Sequence, residues 1–388
     1  MAPRVIVQII TYRTEGIEKE LDELFESLAR VKAPEGGWLL AIIDQPSPLG
    51  NLRDYLEKNV KPRSGVDLPE VVFVFSDENA GFAGGHTKLY DAIRDRNPEF
   101  FYLLNQDAYV DPDVLTTIVQ HAERYPNAAI IQSRIMRAQN PDHYNSAGNA
   151  MHFLGFGYSL KNGETRIIVN PPPFMGELGG GGETGLPSEA GKPAKEGGGR
   201  MFYASGAGVL IRSSILDGIG GMFEPLYFMY HDDVDICWRA QLAGFDIGFA
   251  DESVVYHRYE FSRSMKKFFW MERNRHLTNL CNYRVRTLLV IAPAMLVMEF
   301  GTLLFAFRSG WWKEKLRSWA FFMQPSTWRY IRTRRALIRA LRTRTDREMM
   351  EHMVGIITAQ EVEHPIVTHI VNPVFSVYFG IVKRIIFW

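Results

Sequence analysis

Cysteine is scarce in this chain of 388 residues, and its charges cancel. Two cysteines, Cys237 and Cys281, are too few for the disulfide framework of a small secreted protein, so a reducing, cytosolic environment is expected. Lys plus Arg and Asp plus Glu number 44 each, so no overall field favours nucleic acid as a partner. The start, MAPRVIVQIITY, lacks the long apolar run and cleavage site of a signal peptide and is expected to begin directly with a strand.

Apolar strands alternate with segments of helical spacing over the first hundred residues. The predicted strands are 5–10, 38–43, 71–75 and 100–104, and the predicted helices between them are 15–31, 51–59 and 84–96. This alternation predicts an α/β domain with a mostly parallel sheet. Ligands of such sheets bind at the carboxyl ends of the strands. The polar residues expected there are Thr11, Tyr12, Asp44, 76–79 and 105–107.

Two later regions change composition. Residues 171–200 contain 10 Gly and 5 Pro and predict a mobile surface loop, with a disordered insertion as the alternative. Residues 287–307 form an apolar run interrupted by Pro293 and Glu299, and residues 308–348 then carry 12 Lys or Arg against 3 acidic residues. Basic charge among tryptophan and phenylalanine is typical of a segment that lies in a membrane interface. The alternative for 287–388 is a soluble helical subdomain or a dimer interface.

Three short constellations could carry chemistry, and each also has a purely structural interpretation. The glycines after Asn79 suit backbone approach to a phosphate or sugar but fit neither GxGxxG nor a P-loop, so a plain strand-to-helix turn competes. Asp107 at a strand end suits a divalent cation, or Asn105 begins an Asx turn. His257, after the predicted strand 246–256, is either a metal ligand or a structural histidine.

The densest constellation is HDDVD, residues 231–235, at the start of a helix predicted over 232–243. Helix capping explains one or two of these aspartates. It does not explain three beside a histidine and aromatic residues. If Asp232, Asp233 and Asp235 share a cavity, mutual repulsion raises at least one pKa, which suits a general base.

Taken in order, these motifs resemble the inverting family 2 glycosyltransferases, which have the GT-A nucleotide-sugar fold. The resemblance covers roughly residues 4–285, and no single motif in it is specific. The motifs are TYR (11–13), Asp44, ENAGFAGGH (78–86), LLNQDAYV (103–110), SGAGVLIRSSIL (205–216), YFMYHDDVDICWRAQLAGF (227–245) and VVYH (254–257). Rhamnosyltransferase-like enzymes of cell-surface polysaccharide assembly look most similar.

The resemblance implies a role for each matching position. Asp233 is the expected catalytic base, with Asp232 and Asp235 binding acceptor hydroxyls or orienting the base. Asp107 and His257 are the expected ligands of a divalent cation, Mn²⁺ or Mg²⁺. The expected nucleotide and donor-sugar residues are Thr11, Tyr12, Asp44, Asn79, Gly81, Phe82, Gly84, Gly85, His86, Asn105 and Gln106. The expected acceptor-side residues are Ser205, Gly206 and Arg239.

The sequence departs from the family pattern at three places. Asn105 stands at the first position of the DXD motif, which removes one carboxylate from the metal site. His86 replaces the asparagine usual in GFAGGxN, which would alter contacts to the donor sugar. The loop at 171–200 is longer and richer in glycine than the family pattern, which affects acceptor access.

The resulting expectation is a GT-A catalytic domain over 1–284, in which helices flank a mostly parallel central sheet. A helical, apolar and basic membrane-associating region follows over 285–388. The expected reaction is inverting transfer of a sugar, with dTDP-rhamnose as the expected nucleotide donor, to a lipid-linked saccharide at the cytoplasmic membrane face. The oligomeric state is open, a homo-oligomer included. The alternatives are a catalytically inactive sugar-binding scaffold and a nucleotidyltransferase on a similar sheet.

Overall fold

The computed structural model describes residues 2–166, 201–258, 267–357 and 367–388. The predicted glycine- and proline-rich loop at 171–200 lies outside these ranges. The strands within them are β1 (Val5–Tyr12), β2 (Trp38–Gln45), β3 (Val71–Phe75), β4 (Phe100–Leu104), β5 (Ala108–Val110), β6 (Ala128–Arg137), β7 (Asn140–Ser146), β8 (Asn149–Met151), β9 (Gly157–Ser159), β10 (Gly208–Arg212) and β11 (Asp246–His257).

Helices of the described ranges fall into two sets along the chain. The first set is α1 (Ile17–Leu28), α2 (Arg53–Tyr55), α3 (Gly81–Ile93), α4 (Val114–Arg124), α5 (Ser213–Leu216), α6 (Asp232–Leu242) and α7 (Lys267–Asn282). The second set is α8 (Val285–Arg308), α9 (Trp312–Phe321), α10 (Pro325–Leu341), α11 (Asp346–Glu351) and α12 (Asn372–Ile385).

A mostly parallel sheet organises the first part of the chain, as predicted. Its strand order is β3-β2-β1-β4-β10-β6-β11-β5, and β7 pairs with β6. The strands β3, β2, β1 and β4 are parallel, whereas β10 and β5 pair antiparallel with their neighbours. Register pairs Thr11 with Asp44 and Asp44 with Phe75, so the carboxyl ends of three strands meet at one edge. That edge is where a ligand site is expected.

Both faces of the sheet are covered by helices, which explains the continuous apolar runs of the strands. Val7 and Ile9 belong to the core on one face, where α1 and α4 pack, and Ile6 belongs to the core on the other. The four predicted strands and the strand before His257 are confirmed. The predicted helix 84–96 begins earlier, at Gly81, because this glycine adopts a φ of +71° that turns the chain directly into the helix. The predicted helix 51–59 is irregular, with three α-helical residues in α2.

The C-terminal region packs against the sheet domain through a shared apolar cluster. Trp238 and Tyr283 from one side of the predicted boundary at 284/285 contact a cluster that includes Ile291 and Phe379 from the other. Within the described ranges, α8 alone is long and apolar enough to cross a membrane by length and composition. Its outward side is apolar: Leu289 and Leu296 are 70% and 71% exposed.

Candidate active site

The ends of β1 and β4 are joined by the side chain of Gln106. Its Oε1 accepts from the N–H of Tyr12 at 2.8 Å, and its Nε2 donates to the carbonyl of Tyr12 at 3.0 Å. This double hydrogen bond continues the sheet pairing beyond Leu104, where β4 ends. The structure therefore brings Tyr12 and Gln106 together, as the sequence predicts, with the Gln106 amide bonded to backbone.

Asp44, at the end of β2, is 2% exposed. Its Oδ1 accepts from the Thr11 hydroxyl at 2.8 Å, and its Oδ2 accepts from the N–H of Leu52 at 2.9 Å. Burial raises the pKa of Asp44, and these two hydrogen bonds oppose that rise. Each oxygen thus already has a protein donor. The predicted contact of Asp44 with a nucleotide base stays a prediction.

The turn after β3 approaches another backbone so closely that glycine is required. A Cβ on Gly81 would lie 2.3 Å from the carbonyl oxygen of Phe228. That carbonyl instead accepts from the N–H of Ala83 at 3.1 Å. Asn79 holds the turn from within, because its Oδ1 accepts from the N–H of Gly81 at 2.9 Å. The predicted donor-side loop is therefore packed against the residues that precede Asp232.

Gln45, at the end of β2, holds this loop through two hydrogen bonds, and the sequence analysis did not single out Gln45. Its Oε1 accepts from the N–H of Ala80 at 2.7 Å, and its Nε2 donates to the carbonyl of Gly81 at 3.1 Å. A Cβ on Gly85 would lie 2.8 Å from the same amide nitrogen, and one on Gly84 would lie 2.8 Å from the Cβ of Ala80. The glycines at 84 and 85 therefore serve close packing of α3. The signal was weak: Gln45 directly follows Asp44.

His86 lies beneath the site rather than in it. It is 1% exposed, and its Nδ1 is 3.0 Å from Oε1 of Gln8. Burial lowers the pKa of His86 to about 3, so the imidazole is neutral at physiological pH. The Phe82 ring packs edge-on against His86 and also covers Gly206, where a Cβ would lie 2.6 Å from the ring. Phe82 thus faces the predicted acceptor side, while the predicted donor contact of His86 stays a prediction.

Asn105, Asp107 and His257 are brought together at the β4–β5 turn. Nε2 of His257 lies 3.2 Å from Oδ1 of Asp107 and 3.0 Å from Nδ2 of Asn105. Antiparallel pairing of β5 with β11 places His257 opposite Ala108, which produces this proximity. Nδ1 of His257 lies 3.4 Å from Oδ1 of Asn145, a residue that the sequence analysis did not single out.

Residues 228–231 form a strained loop before α6. Phe228, Tyr230 and His231 have φ values of 63°, 64° and 64°, in the left-handed region that residues other than glycine rarely adopt. Asn274 of α7 holds this loop, since its Nδ2 lies within 2.9 Å of the carbonyls of residues 227, 229 and 230. Strain of this kind collects at functional sites. Nothing in the sequence around Asn274 indicated this role.

Asp232 and Asp233 begin α6 from within this strained loop. Burial, assisted by the charge of Asp233, raises the pKa of Asp232 well above its usual value, and Asp232 Oδ2 has no hydrogen-bond partner among the described residues. Burial also raises the pKa of Asp233, to about 7, and this rise is opposed by the N–H of Val234, which donates to its carboxylate at 2.8 Å, and by the nearby N–H of Gly206. A carboxylate with a pKa near neutrality suits general-base catalysis. The contact with Gly206 places Asp233 beside the predicted acceptor-side loop.

Asp235 and Arg239 lie elsewhere, in a buried ion pair. Oδ2 of Asp235 accepts from Nε of Arg239 at 2.8 Å and is 3.3 Å from Nη2 of Arg334. Arg239 also donates to the carbonyls of Ile219 and Met222 at 2.6 and 2.8 Å. These cations outweigh burial and lower the pKa of Asp235. The structure does not group these two residues with Asp233, and their predicted acceptor roles stay predictions.

The loop from Ser205 to Gly208 connects the two halves of the site. The N–H of Ser205 donates to Oε1 of Gln132 at 2.8 Å, which anchors the loop on β6. The N–H of Asn105 lies 3.5 Å from the carbonyl of Ala207, one residue from Gly206, whose N–H lies near the Asp233 carboxylate. Asn105, which lies 3.0 Å from His257, and Asp233 therefore both approach one short loop.

Comparison with known proteins identifies the family of this chain. Residues 64–279, more than half of the chain, match the family model described as Glycosyltransferase like family 2. The chain belongs to this glycosyltransferase family. A search of curated protein sequences gave no match.

Solved structures share the fold at low sequence identity. GalNAc-T7 with UDP, GalNAc and Mn²⁺ is 12% identical, with a TM-score of 0.50 over 72% of this chain and 48% of that one, so this chain spans about half its length. A mannosyltransferase from Pyrobaculum calidifontis with GDP-Man and Mn²⁺ is 14% identical, with a TM-score of 0.46 over 88% and 86% of the two chains. TarS 1–349 of S. aureus with UDP-GlcNAc is 16% identical, with a TM-score of 0.48 over 88% and 90%. The family match and the similarity to GalNAc-T7 confirm the predicted GT-A fold.

The donor set of this glycosyltransferase fits a divalent cation between Asp107 and His257. Asp107 presents a carboxylate oxygen 3.2 Å from an imidazole nitrogen of His257. A carboxylate oxygen suits Mn²⁺ or Mg²⁺, and histidine is a common metal ligand. These two residues would hold the cation.

A second acidic cluster of the glycosyltransferase resembles a metal site by geometry alone. Glu272, His276 and Glu299 present ligand atoms within 4.8 Å of one another. Lys315 already lies 2.8 Å from Glu299, and Arg275 lies 2.9 Å from Glu272. Because two protein cations neutralise these carboxylates, the cluster is a buried ion network that joins α7, α8 and α9.

Proposed function

We propose that the chain transfers a sugar from a nucleotide diphosphate donor to an acceptor hydroxyl with inversion, assisted by a divalent cation. The observation that supports this most is that Asn105, which lies beside His257 of the Asp107–His257 pair, and Asp233 both approach the loop at 205–208. Inverting transfer needs one base and no covalent intermediate. A carboxylate whose pKa lies near neutrality, Asp233, and a separate pair of residues that could hold a cation fit that need.

Asp233 would act on the acceptor. Its carboxylate would take the proton of the acceptor hydroxyl while that oxygen attacks the anomeric carbon from the face opposite the leaving diphosphate. Asp107 and His257 would hold the cation, which would offset the charge of the departing nucleotide diphosphate. Asp232, buried next to Asp233, would hold the proton of the pair at neutral pH, because burial and the charge of Asp233 raise its own pKa, and Asp233 would then be the ionised member.

For the donor we propose dTDP-rhamnose, which rests on the resemblance to rhamnosyltransferase-like enzymes. For the acceptor we propose a saccharide on a lipid at the cytoplasmic face of a membrane. The support for the acceptor is the outer surface of the C-terminal region. Apolar side chains of α8 and α12 are about half to two-thirds exposed there, including Leu296, Phe300, Val374 and Val377.

The polar contacts of α8 favour a helix that lies on the membrane rather than across it. Glu299, at mid-helix, is bonded to Lys315 and Trp319 of α9 at 2.8 and 2.9 Å. Nearer the start of the helix, the Val290 carbonyl accepts from the Tyr378 hydroxyl at 2.6 Å. A helix that spanned the membrane would place the charged Glu299 and Lys315 in the hydrocarbon layer, which is costly. We therefore propose a monotopic protein that buries the apolar faces of α8 and α12 in the interface.

A thermal-shift screen tests the donor and the cation together. UDP, GDP and dTDP are each added with Mn²⁺, Mg²⁺ or EDTA, since a ligand that binds the native state stabilises it by about 2.7 kcal/mol at a hundredfold excess over Kd. We expect the largest rise in unfolding temperature with dTDP and a cation, and none with EDTA. Asp107→Asn should lose the cation dependence, whereas exposed Asp142→Asn should keep it. No rise with any nucleotide would favour the scaffold alternative.

A further inference from the structure

A groove lined by arginines lies where α8 begins. Its volume is about 630 Å³, and it runs between the start of α8 and the last turns of α10. Its basic lining residues are Arg284, Arg286, Arg335, Arg339 and Arg342. Val285, Leu289 and Ile338 supply apolar lining. Five guanidinium groups around one cavity indicate an anionic ligand.

Two of these arginines already have protein partners. Arg335 lies 2.9 Å from the carbonyl of Tyr283, and Arg342 lies 2.5 Å from Asp346. Asp346 is also shared with the Thr287 hydroxyl and the backbone N–H of Arg284. Both carboxylate oxygens of Asp346 therefore already have protein partners.

The other three arginines leave the groove with excess positive charge. Within the described part of the chain, Arg284, Arg286 and Arg339 form no ion pair, and Arg286 packs over the ring of Trp388 at 4.2 Å. Burial, together with the charges of Arg284 and Arg335, lowers the pKa of Arg342 despite its contact with Asp346. The residues of the groove therefore supply no anion to these three arginines.

The groove opens at the edge of the exposed apolar surface. Val285 and Leu289, which line it, are 58% and 70% exposed and continue into the outward side of α8. Phe387, next to the Trp388 ring over which Arg286 packs, is 72% exposed. If this apolar surface enters a membrane, the arginines lie at the level of the lipid phosphates.

We propose that the groove binds the phosphate of an anionic membrane phospholipid. This proposal rests on the membrane part of the proposed function. Guanidinium groups bind phosphate oxygens in a bidentate manner, and the apolar lining suits the start of the acyl chains. The bound lipid would fix the position of α8 in the interface and thereby the height of the active site above the membrane.

Vesicle flotation tests the groove with two charge-matched triple variants. The groove variant combines Arg284→Gln, Arg286→Gln and Arg339→Gln. The control combines Arg308→Gln, Lys313→Gln and Arg329→Gln, which are exposed cations of the same region outside the groove. Each protein is mixed with vesicles of phosphatidylcholine alone or with added phosphatidylglycerol. A basic residue at an anionic surface contributes about a factor of five to binding.

We expect the groove variant to lose about a hundredfold in its preference for anionic vesicles, while it binds neutral vesicles like the wild type. The control should keep most of that preference. Equal losses in both variants would show general surface charge, and no loss in the groove variant would show that the groove binds no lipid; either result overturns the proposal. A wild type that binds neither vesicle overturns the membrane part as well, while the nucleotide screen still tests the transferase.

Inorganic phosphate distinguishes a lipid from a free anion. The unfolding temperature of wild type and groove variant is measured with phosphate and with sulfate at equal ionic strength. If phosphate stabilises only the wild type and the vesicle preference of the two proteins is equal, the site serves a soluble phosphate and the lipid assignment is wrong. Loss of vesicle preference in the groove variant supports the lipid.

Discussion

Asp233 should control the pH dependence of transfer. Burial raises its pKa to about 7, and the base acts as the carboxylate. We therefore expect kcat/KM to be level above about pH 7 and to fall about tenfold for each unit below it. The measurement is initial rate against pH at low donor concentration. A plateau that extends down to pH 5 would contradict the assignment of Asp233 as the base.

Asp233→Asn should reduce kcat by about 10²–10⁴-fold, which is the usual contribution of a general base, and leave nucleotide binding near the wild-type value. The folded pKa is raised, so ionisation destabilises the native state as pH rises from about 4 towards 7. At pH 8 the asparagine variant should thus unfold no earlier than the wild type. Asp217→Asn, an exposed aspartate after α5, is the control and should retain activity.

The contact between α3 and the loop before α6 requires glycine at position 81, because a Cβ there would not fit. Gly81→Ala would place a methyl group 2.3 Å from the Phe228 carbonyl at a φ of +71°. Gly37→Ala has a φ of +73° and nothing within 4 Å, so it carries the conformational cost without the clash. We expect Gly37→Ala to cost about 1 kcal/mol and Gly81→Ala distinctly more. Chemical denaturation of both variants measures the difference.

The same comparison reports on the site. Gly81→Ala should also weaken nucleotide binding and transfer, because the clash displaces either the donor-side loop or the strained residues before Asp232. Gly37 directly precedes β2, at the opposite end of that strand from Asp44. Gly37→Ala should therefore leave nucleotide binding and transfer unchanged. Equal stability and equal activity in the two variants would contradict the tight packing of these loops.

At the scale of the whole molecule, a buried ion network attaches the C-terminal region to the sheet domain. Lys315 is fully buried between Glu272 and Glu299, which belong to α7 and α8. Lys315→Met leaves two buried carboxylates with too little compensating charge, and loss of one partner in such a network costs about 3–5 kcal/mol.

The control for this prediction is Lys313→Met. Lys313 is exposed and contacts only the ring of Trp312 among the interactions described for it, so its loss should change stability by less than about 0.5 kcal/mol. Thermal unfolding of the two variants should differ clearly. Similar unfolding temperatures would show that the apolar cluster around Trp238 and Tyr283, and not the ion network, carries the attachment.

Much of the fold was determined by local pattern. Strands buried on both faces must be apolar throughout, so β1 to β4 could be located from the sequence alone, and polar residues at their ends marked the edge of the sheet. The motif order identified the family, which the match over residues 64–279 confirmed. The grouping of Asn105, Asp107 and His257 was also expected.

Tertiary packing decided the rest. HDDVD placed three aspartates together in sequence, yet Asp233 contacts Gly206 while Asp235 pairs with Arg239 and Arg334, because residues two apart on a helix point to opposite sides. The role of Asn274 depends on a loop more than forty residues earlier. Side-chain periodicity reports which face is buried, but not which distant partner meets it. Those partners separate the proposed base, Asp233, from the ion-paired Asp235.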